Sequence, residues 1–336
     1  MNQQKISLKR ATISGIGHQL PSKKITNQYF VDLGLDTSDT WIQERTGIQS
    51  RYFLDENQCA SDIAYEACVK AISNAAIDAD AIELIIVATT SGDYLGFPSM
   101  ACLLQERLQL NTIGAFDLAA ACSGFSYAMA TASAYIESGM HNTILVVGVD
   151  CLSRFTDFQD RGTCILFGDA AAAAVVTATD QDEGVLYSKL YSDGSIAKAL
   201  LIPSGGSKQP VDDQALKERS CFIKMEGRAV FKVAVSVVVP AIHDALEKVG
   251  LTVDDVTYFV CHQANKRILD HIANSLGIKS EQMPMNISDV GNTSAASIPL
   301  LLSEINSKNQ LKRGNIVVLL GFGAGFTWGV NILRWS

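Results

Sequence analysis

One cysteine lies in a stretch of small residues, "DLAAACSGF" (117–125), where alanine would pack as well and would not oxidise. A free cysteine in such a place is most often a small buried hydrophobe. Cys122, however, falls where a predicted strand is followed by a predicted helix. Unpaired backbone N–H groups and the positive end of the helix dipole meet at that point. This position lowers the pKa of a thiol, so the pattern predicts a nucleophilic thiolate.

Two further polar side chains interrupt predicted elements in the second half of the chain. His262 ends the predicted strand "TYFVCH", and α/β sheets bind ligands beyond the carboxyl ends of their strands. Asn292 precedes the predicted helix "IPLLLSEINSK", where an asparagine is commonly a cap or turn residue. The segment "GFGAGFTWG" (321–329) predicts a hairpin whose backbone N–H could face a developing oxyanion. No predicted helix follows it, so it is not a phosphate-binding fingerprint.

The elements that would position these residues repeat once along the chain. "AISNAAIDADAIELIIVA" (71–88) matches "ALEKVGLTVDDVTYFVCH" (245–262), and "NTILVVG" (142–148) matches "NIVVLLG" (315–321), at offsets of 174 and 173 residues. Continuously apolar strands alternate with helical patterns, which is typical of α/β layers. We therefore predict a duplicated α/β chain, with the cysteine in residues 1–180 and the histidine and asparagine in residues 181–336.

Two local expectations follow from proline and glycine. The predicted helix over residues 229–249 contains Pro240, where we expect a kink. The polar, Gly/Pro-rich segment 203–220 is expected to form an exposed loop.

Composition limits the class of protein. The chain has 336 residues, of which 48% are hydrophobic and 18% charged, and its net charge is −8, which argues against a nucleic-acid partner. Its eight cysteines lack metal-ligand spacing, which argues against zinc and against a disulfide framework. The N-terminus lacks the apolar run of a signal peptide, and no run approaches the roughly 18 apolar residues of a membrane span. We expect a cytoplasmic protein without a bound metal or redox cofactor.

Taken together, six stretches resemble one family in its own order, over nearly the whole chain. They are "DTSDTWIQERTGI", "DLAAACSGF", "DRGTCILFGDAAAA", "HQANKRI", "GNTSAAS" and "GFGAGFTWG". The sequence is similar to the β-ketoacyl-acyl carrier protein synthase III enzymes of the thiolase superfamily. The resemblance implies a fold of two similar halves packed as α-β-α-β-α layers, and a homodimer.

The resemblance also implies a reaction. Cys122 corresponds to the nucleophile that accepts an acyl group from an acyl-coenzyme A primer, acetyl-coenzyme A being expected first. Malonyl-acyl carrier protein then loses carbon dioxide, and His262 and Asn292 stabilise the resulting enolate, which attacks the acyl-cysteine. The product is a 3-oxoacyl-acyl carrier protein that initiates fatty-acid synthesis.

Further site residues are implied by the same resemblance. They are the backbone N–H groups of Cys122 and Ala324 as the oxyanion hole; Thr37, Trp41, Arg45, Arg161 and Arg228 around coenzyme A; Phe97, from the partner subunit, with Leu166 and Phe167 around the acyl chain; and Lys266 and Arg267 where acyl carrier protein docks. Two of these depart from the family pattern. Ala324 stands where glycine is frequent, and Arg228 replaces an asparagine near the pantetheine and could meet a phosphate instead.

Three alternatives stay open at this point. A related condensing enzyme could use another acyl-coenzyme A in specialised metabolism. A cysteine hydrolase also uses the order Cys, His, Asn, but the local signature of the papain-like family is missing here. A non-catalytic acyl-binding protein would share the fold without forming an acyl-cysteine.

Overall fold

The computed structural model describes residues 9–336. Residues 1–8, the first part of the segment judged not to be a signal peptide, lie outside the described residues. The strands are β1 (Arg10–Gln19), β2 (Lys23–Thr26), β3 (Ser50–Phe53), β4 (Leu84–Ala88), β5 (Gly114–Leu118), β6 (Thr143–Asp150), β7 (Ala170–Thr179), β8 (Gly184–Ser192), β9 (Leu200–Leu201), β10 (Lys224–Met225), β11 (Tyr258–Cys261), β12 (Ile316–Gly323) and β13 (Thr327–Arg334). The helices are α1 (Gln28–Asp32), α2 (Asp39–Thr46), α3 (Ala60–Ala75), α4 (Met100–Arg107), α5 (Gly124–Glu137), α6 (Arg161–Cys164), α7 (Asp213–Lys217), α8 (Gly227–Lys248), α9 (Lys266–Leu276), α10 (Ile287–Val290) and α11 (Ser297–Ser307).

Two main sheets share one strand order. The first runs β1-β7-β6-β4-β5 and the second runs β8-β13-β12-β11. In both sheets the first two pairs are antiparallel and the next pair is parallel. The first sheet has one extra strand, β5, which pairs in parallel with β4 and forms an edge. The matching order confirms the duplicated α/β fold that the repeat predicted.

Side-chain alternation along β4 separates two layers of helices, because successive residues of a strand point to opposite faces. Leu84 and Ile86 pack in the core that contains α5 and α11. Ile85 and Val87 pack in the core that contains α3 and α4. The first sheet is therefore covered on both faces.

The second sheet is arranged in the same way around β12. Val317 and Leu319 share the core of α5 and α11, whereas Val318 and Leu320 pack with α8 and α9. The five layers are thus α3/α4, the first sheet, α5/α11, the second sheet and α8/α9. This is the predicted α-β-α-β-α sandwich.

Backbone conformation repeats at the same offset as the sequence. Ala76 ends α3 with a φ of 53°, and Gly250, 174 residues later, has a φ of 69°. Ala121 precedes α5 with a φ of 46°, and Ser294 precedes α11, 173 residues later, with a φ of 50°. The cysteine turn and the asparagine loop are therefore equivalent places in the two copies.

Several details refine the expectations. Helix α8 runs through Pro240 without interruption. Contrary to the expectation that no segment approaches a membrane span, α8 is long and apolar enough to cross a bilayer by length and composition, a test that core helices also pass. It packs on the second sheet through buried residues that include Val238 and Ile242. The segment 203–220 is mostly exposed, as expected, but contains the short helix α7. The strand β8 was not predicted from the sequence. The first sheet ends at Thr179 and the second begins at Gly184.

Candidate active site

The cysteine lies in a tight turn between β5 and α5. Cys122 is 7% exposed, and the residue before it, Ala121, is in the left-handed region. The sulfur receives a hydrogen bond from the hydroxyl of Ser294 at 3.3 Å. The two interacting residues come from opposite copies of the repeat.

The ionisation of Cys122 differs from the expectation. Burial raises the pKa of its thiol to about 12, and this outweighs the lowering by the Ser294 hydrogen bond. The expectation that the helix terminus leaves a resting thiolate was therefore wrong, because it considered the dipole and not desolvation. The free protein holds a thiol, and the anion has to form when the sulfur reacts.

His262 follows β11 directly, and its side chain is buried. The backbone N–H of His262 donates to the Leu320 carbonyl at 2.8 Å. The imidazole ring contacts the Phe322 ring edge-on, with the ring centroids 5.2 Å apart. Burial lowers the pKa of His262 to about 3, so the ring is neutral at physiological pH. A neutral imidazole carries one N–H donor and one acceptor nitrogen.

Asn292 is held by backbone bonds on both sides. Its N–H donates to the Leu166 carbonyl at 2.9 Å, and its carbonyl accepts from the Gly168 N–H at 3.0 Å. Its side-chain Oδ1 accepts from the backbone N–H of Ser294 at 3.0 Å. Because the oxygen is engaged in this way, the amide NH₂ is the group left for a ligand.

A buried arginine supports the Asn292 segment. Arg51 on β3 is 0% exposed, and it donates to the Ile165 carbonyl at 2.6 Å. No carboxylate of the described residues pairs with it. A Cβ added to Gly168 would lie 3.0 Å from the Arg51 Cβ, and one added to Gly291 would lie 3.1 Å from it. The aliphatic part of Arg51 therefore packs against both segments of the short β-bridge that pairs Phe167 with Asn292.

The backbone N–H of Cys122 is left free by a difference between the two copies. In the second copy, the Ala295 N–H donates to the Asp150 carboxylate at 3.2 Å. The residue equivalent to Asp150 at the offset of 173 is Gly323, which has no side chain. The N–H groups of Cys122 and Ala324 donate to no carbonyl or carboxylate among the described residues. Both groups are available to a ligand.

These residues face one cavity of about 860 Å³. Ten residues singled out in the sequence line it: Trp41, Arg45, Cys122, Arg161, Leu166, Phe167, Arg228, His262, Arg267 and Asn292. The cavity leads from exposed arginines to the buried cysteine, histidine and asparagine.

The exposed end of the cavity is basic and carries one aromatic ring. Ser38 caps the N-terminus of helix α2, and its hydroxyl accepts a hydrogen bond from the Trp41 N–H at 3.1 Å. The guanidinium of Arg161 lies 4.6 Å from the Trp41 ring centre, and that of Arg45 lies 5.7 Å from it. Arg228 is a further cation that lines the cavity. Guanidinium groups bind phosphates bidentately and stack on flat rings.

Four of the singled-out residues do not line the cavity. Thr37 has a buried hydroxyl without a hydrogen-bond partner among the described residues, and Lys266 pairs with Asp270 at 2.7 Å. Phe97 is 86% exposed, on the loop that precedes α4. Ala324 follows the lining residue Gly323; its φ is not positive, so its methyl group costs no backbone strain.

Sequence reasoning missed three residues that hold the site together: Arg51, Asp150 and Ser294. Two signals were present. Ser294 lies in the quoted stretch "GNTSAAS", and the repeat offset places it opposite Ala121 and places Asp150 opposite Gly323. Nothing in the pattern indicated the burial of Arg51.

Comparisons with known proteins agree with the geometry. A family model described as 3-oxoacyl-[acyl-carrier-protein] synthase III matches residues 116–194, and one for the C-terminal part of the same family matches residues 246–335. These ranges contain the cysteine, the histidine and the asparagine.

Relatives match over nearly the whole chain. A beta-ketoacyl-[acyl-carrier-protein] synthase III of Staphylococcus saprophyticus is 45% identical over 96% of this chain and 98% of its own. The crystal structure of the 3-oxoacyl-[acyl-carrier-protein] synthase III of Aquifex aeolicus has a TM-score of 0.89 at 38% identity and covers 97% of this chain and 100% of its own. The priming beta-ketosynthase of the R1128 polyketide pathway has a TM-score of 0.90 at 31% identity, covering 100% and 99%.

Proposed function

The chain belongs to the β-ketoacyl-[acyl-carrier-protein] synthase III family, and from that premise we propose that it joins an acyl-coenzyme A primer to malonyl-acyl carrier protein through an acyl-Cys122 intermediate. It is a condensing acyltransferase of the thiolase fold. The product is a 3-oxoacyl-acyl carrier protein, the first elongated intermediate of fatty-acid synthesis. The observation that carries the proposal is the single cavity that joins Cys122, His262 and Asn292 to a basic, aromatic entrance.

Acylation starts with the sulfur of Cys122. It attacks the thioester carbonyl, a new C–S bond forms, and the bond to the coenzyme A sulfur breaks. The proton of the thiol ends on the departing coenzyme A sulfur, so the exchange is balanced. The backbone N–H groups of Cys122 and Ala324 stabilise the tetrahedral oxyanion, because neither donates to a backbone carbonyl among the described residues.

Coenzyme A occupies the exposed end of the cavity. The adenine ring stacks on Trp41, where the Arg161 guanidinium now lies 4.6 Å from the ring centre, and Arg161 moves to cover the other face of the adenine. Arg45 and Arg228 face the phosphates, and Thr37 lies at the same nucleotide end. The acyl chain extends past the cysteine toward Leu166 and Phe167.

Condensation uses two neutral donors. Malonyl-acyl carrier protein enters after coenzyme A leaves, and loss of carbon dioxide places a negative charge on the thioester oxygen. The Nε2–H of His262 and the amide NH₂ of Asn292 donate to that oxygen. His262 is suited to this role because its low pKa keeps it neutral, so no competing cation forms. The carbanion then attacks acyl-Cys122 and releases the thiolate.

The carrier protein docks at the basic entrance. Arg267 lines the cavity at the start of α9, and Lys266 is next to it. The four arginines at this end contrast with a net charge of −8 for the whole chain, so an acidic partner is drawn here and repelled elsewhere. The reaction needs no bound metal or redox cofactor.

A homodimer completes the acyl pocket. Strand β5 forms an edge of the first sheet, and the loop before α4 exposes Leu95 and Phe97 at 78% and 86%. Exposed apolar side chains beside an open strand edge are typical of an interface. We place Phe97 against the acyl pocket of a second copy.

All eight cysteines are free, which suits a reducing cytoplasm.

Intact-mass spectrometry with a panel of acyl-coenzyme A donors tests the proposal. The expected result is a gain of one acyl mass that Cys122→Ser abolishes, followed by loss of the adduct when malonyl-acyl carrier protein is added. Preference for long or aromatic donors would favour the specialised-metabolism alternative, which the similarity to the R1128 priming ketosynthase keeps open. Release of free acid without consumption of malonyl groups would instead indicate a hydrolase.

A further inference from the structure

Ser294 is a second side chain in direct contact with the reacting sulfur. It is 1% exposed, and its hydroxyl has one hydrogen-bond partner among residues 9–336, the Sγ of Cys122 at 3.3 Å. No imidazole or carboxylate in this range is hydrogen-bonded to that sulfur. A buried hydroxyl that has only the nucleophile as a partner has no evident role in holding the backbone together.

The backbone around Ser294 is fixed from both sides. Its own N–H donates to Asn292 Oδ1 at 3.0 Å, and the next N–H, of Ala295, donates to the Asp150 carboxylate. The buried Asp150 also accepts from the hydroxyl of Ser91 at 2.7 Å and the N–H of Thr90 at 2.8 Å. Together these hydrogen bonds fix the backbone of the turn at Ser294 more firmly than any one of them would alone.

That turn holds Ser294 in an unfavourable conformation. Its φ of 50° lies in the left-handed region, which non-glycine residues seldom occupy. A residue kept there by surrounding bonds is a frequent feature of functional sites. The result is a hydroxyl aimed at the sulfur from the half of the chain opposite to Cys122.

We propose that Ser294 is a further catalytic residue, whose hydroxyl donates a hydrogen bond that stabilises the Cys122 thiolate as it forms. This inference rests on the proposed function. The same bond acts twice in a cycle, when the thiol gives up its proton during acylation and when the thiolate leaves after condensation. It compensates in part for the burial that otherwise disfavours the anion.

The test compares Ser294→Ala with Ser126→Ala. Ser126 is a matched control because it is also a fully buried serine, one turn into α5, and its hydroxyl has no hydrogen-bond partner among the described residues. Ser294→Gly is the second variant, since glycine adopts a φ of 50° freely and guards against misfolding of the alanine variant. Two rates are measured by intact mass between pH 7 and 9: alkylation of Cys122 by iodoacetamide, and acyl transfer from acetyl-coenzyme A.

Removal of the hydroxyl should slow both rates roughly tenfold or more at each pH, the loss expected for one hydrogen bond to a charged group. The Ser126→Ala protein should match the wild type. Decarboxylation of malonyl-acyl carrier protein should stay within about twofold for Ser294→Ala, because the backbone N–H that orients Asn292 is retained. This split distinguishes contact with the sulfur from a purely structural role.

Wild-type rates of alkylation and acyl transfer in both Ser294 variants would overturn the inference and leave the proposed function intact. Equal losses in acyl transfer and malonyl decarboxylation would also overturn it, since the residue would then act through the backbone. Absence of any acyl adduct on the wild-type protein would instead overturn the proposed function.

Discussion

Gly323 lies in backbone contact with Cys122: a Cβ added to the glycine would be 2.8 Å from both the nitrogen and the Cβ of the cysteine. That is closer than real Cβ atoms approach backbone, so the glycine is required by space and not by conformation. Because Ala324 follows Gly323, the same contact brings the two free N–H groups of the proposed oxyanion hole to one place.

Replacement of Gly323 by alanine should therefore reduce acylation about 100-fold or more, the loss typical of a missing oxyanion-hole donor. The added methyl forces the Cys122 nitrogen or the end of β12 to move. Gly194→Ala is the matched control, because a Cβ there meets no atom within 4 Å. The rate of acyl-enzyme formation is measured by rapid quenching and intact-mass spectrometry. An unchanged rate in Gly323→Ala would contradict the role assigned to the contact.

The reactivity of Cys122 should depend steeply on pH. Because burial raises the pKa of the thiol to about 12, the thiolate fraction grows about tenfold per pH unit through the neutral range. Alkylation by iodoacetamide should rise in the same proportion from pH 7 to 9 without a plateau. The Cys122→Ser protein supplies the blank for the other cysteines. A rate that levels off below pH 8 would show a resting thiolate.

The histidine and the asparagine should be needed for condensation and not for acylation. His262→Ala and Asn292→Ala each remove one proposed donor to the enolate oxygen, and neither residue is hydrogen-bonded to the Cys122 sulfur. Each variant should form acyl-enzyme at close to the wild-type rate and make 3-oxoacyl product about 100-fold more slowly. His243→Ala, an exposed histidine on α8, is the control. Normal condensation by both variants would refute the role assignment.

Asp157 should stabilise the protein in a pH-dependent way. Its carboxylate is 4% exposed and pairs with Arg219 at 2.6 Å and Lys224 at 3.2 Å, which ties the end of the 203–220 segment to the core. Burial acts to raise the pKa of Asp157, but hydrogen bonds from Arg219 and other donors outweigh it and bring the pKa to about 2. Since the folded value lies below the unfolded one, the stabilisation is present above about pH 4 and is lost as the pH falls toward 2.

Asp157→Asn should accordingly lower the free energy of unfolding at pH 7 by about 2 kcal/mol, and the difference from wild type should shrink below pH 4. Urea denaturation at a series of pH values measures it. Asp182→Asn, which removes an exposed partner of Arg10, should change little. A difference that does not vary with pH would mean that the asparagine disturbs packing and that the charge is not the cause.

The types and order of the proposed catalytic side chains could be read from the sequence because each lies next to an otherwise apolar element. Cys122 and His262 each follow a strand, and the repeat indicated the duplicated α/β layers, but the strand order was not predicted. The resting ionisation of Cys122 was not predictable. It depends on how completely the sulfur is desolvated, which is set by residues such as Gly323 that are distant in sequence.

Contacts between the two copies were the other limit. Ser294 reaches the Cys122 sulfur, and Asp150 reaches the Ala295 N–H, only because the two copies pack against each other, and no local pattern encodes these distances. Phe97 is another such case: the resemblance assigned it to the acyl pocket of a partner subunit, and within one chain it is exposed. Sequence spacing gives the element that carries a residue, whereas the space around the residue comes from the packing of other elements.

The central layer makes the two copies interdependent. Helices α5 and α11 are covered by one sheet on each side, and residues such as Ala128, Met129 and Leu302 are 0% exposed. A fragment ending near residue 180, or one beginning there, would keep its own central helix but lose the other central helix and the other sheet, and its inner side would be exposed to water. Each half of the chain therefore excludes water from the inner side of the other half. Although its architecture is that of a tandem duplication, the chain should unfold in a single cooperative transition.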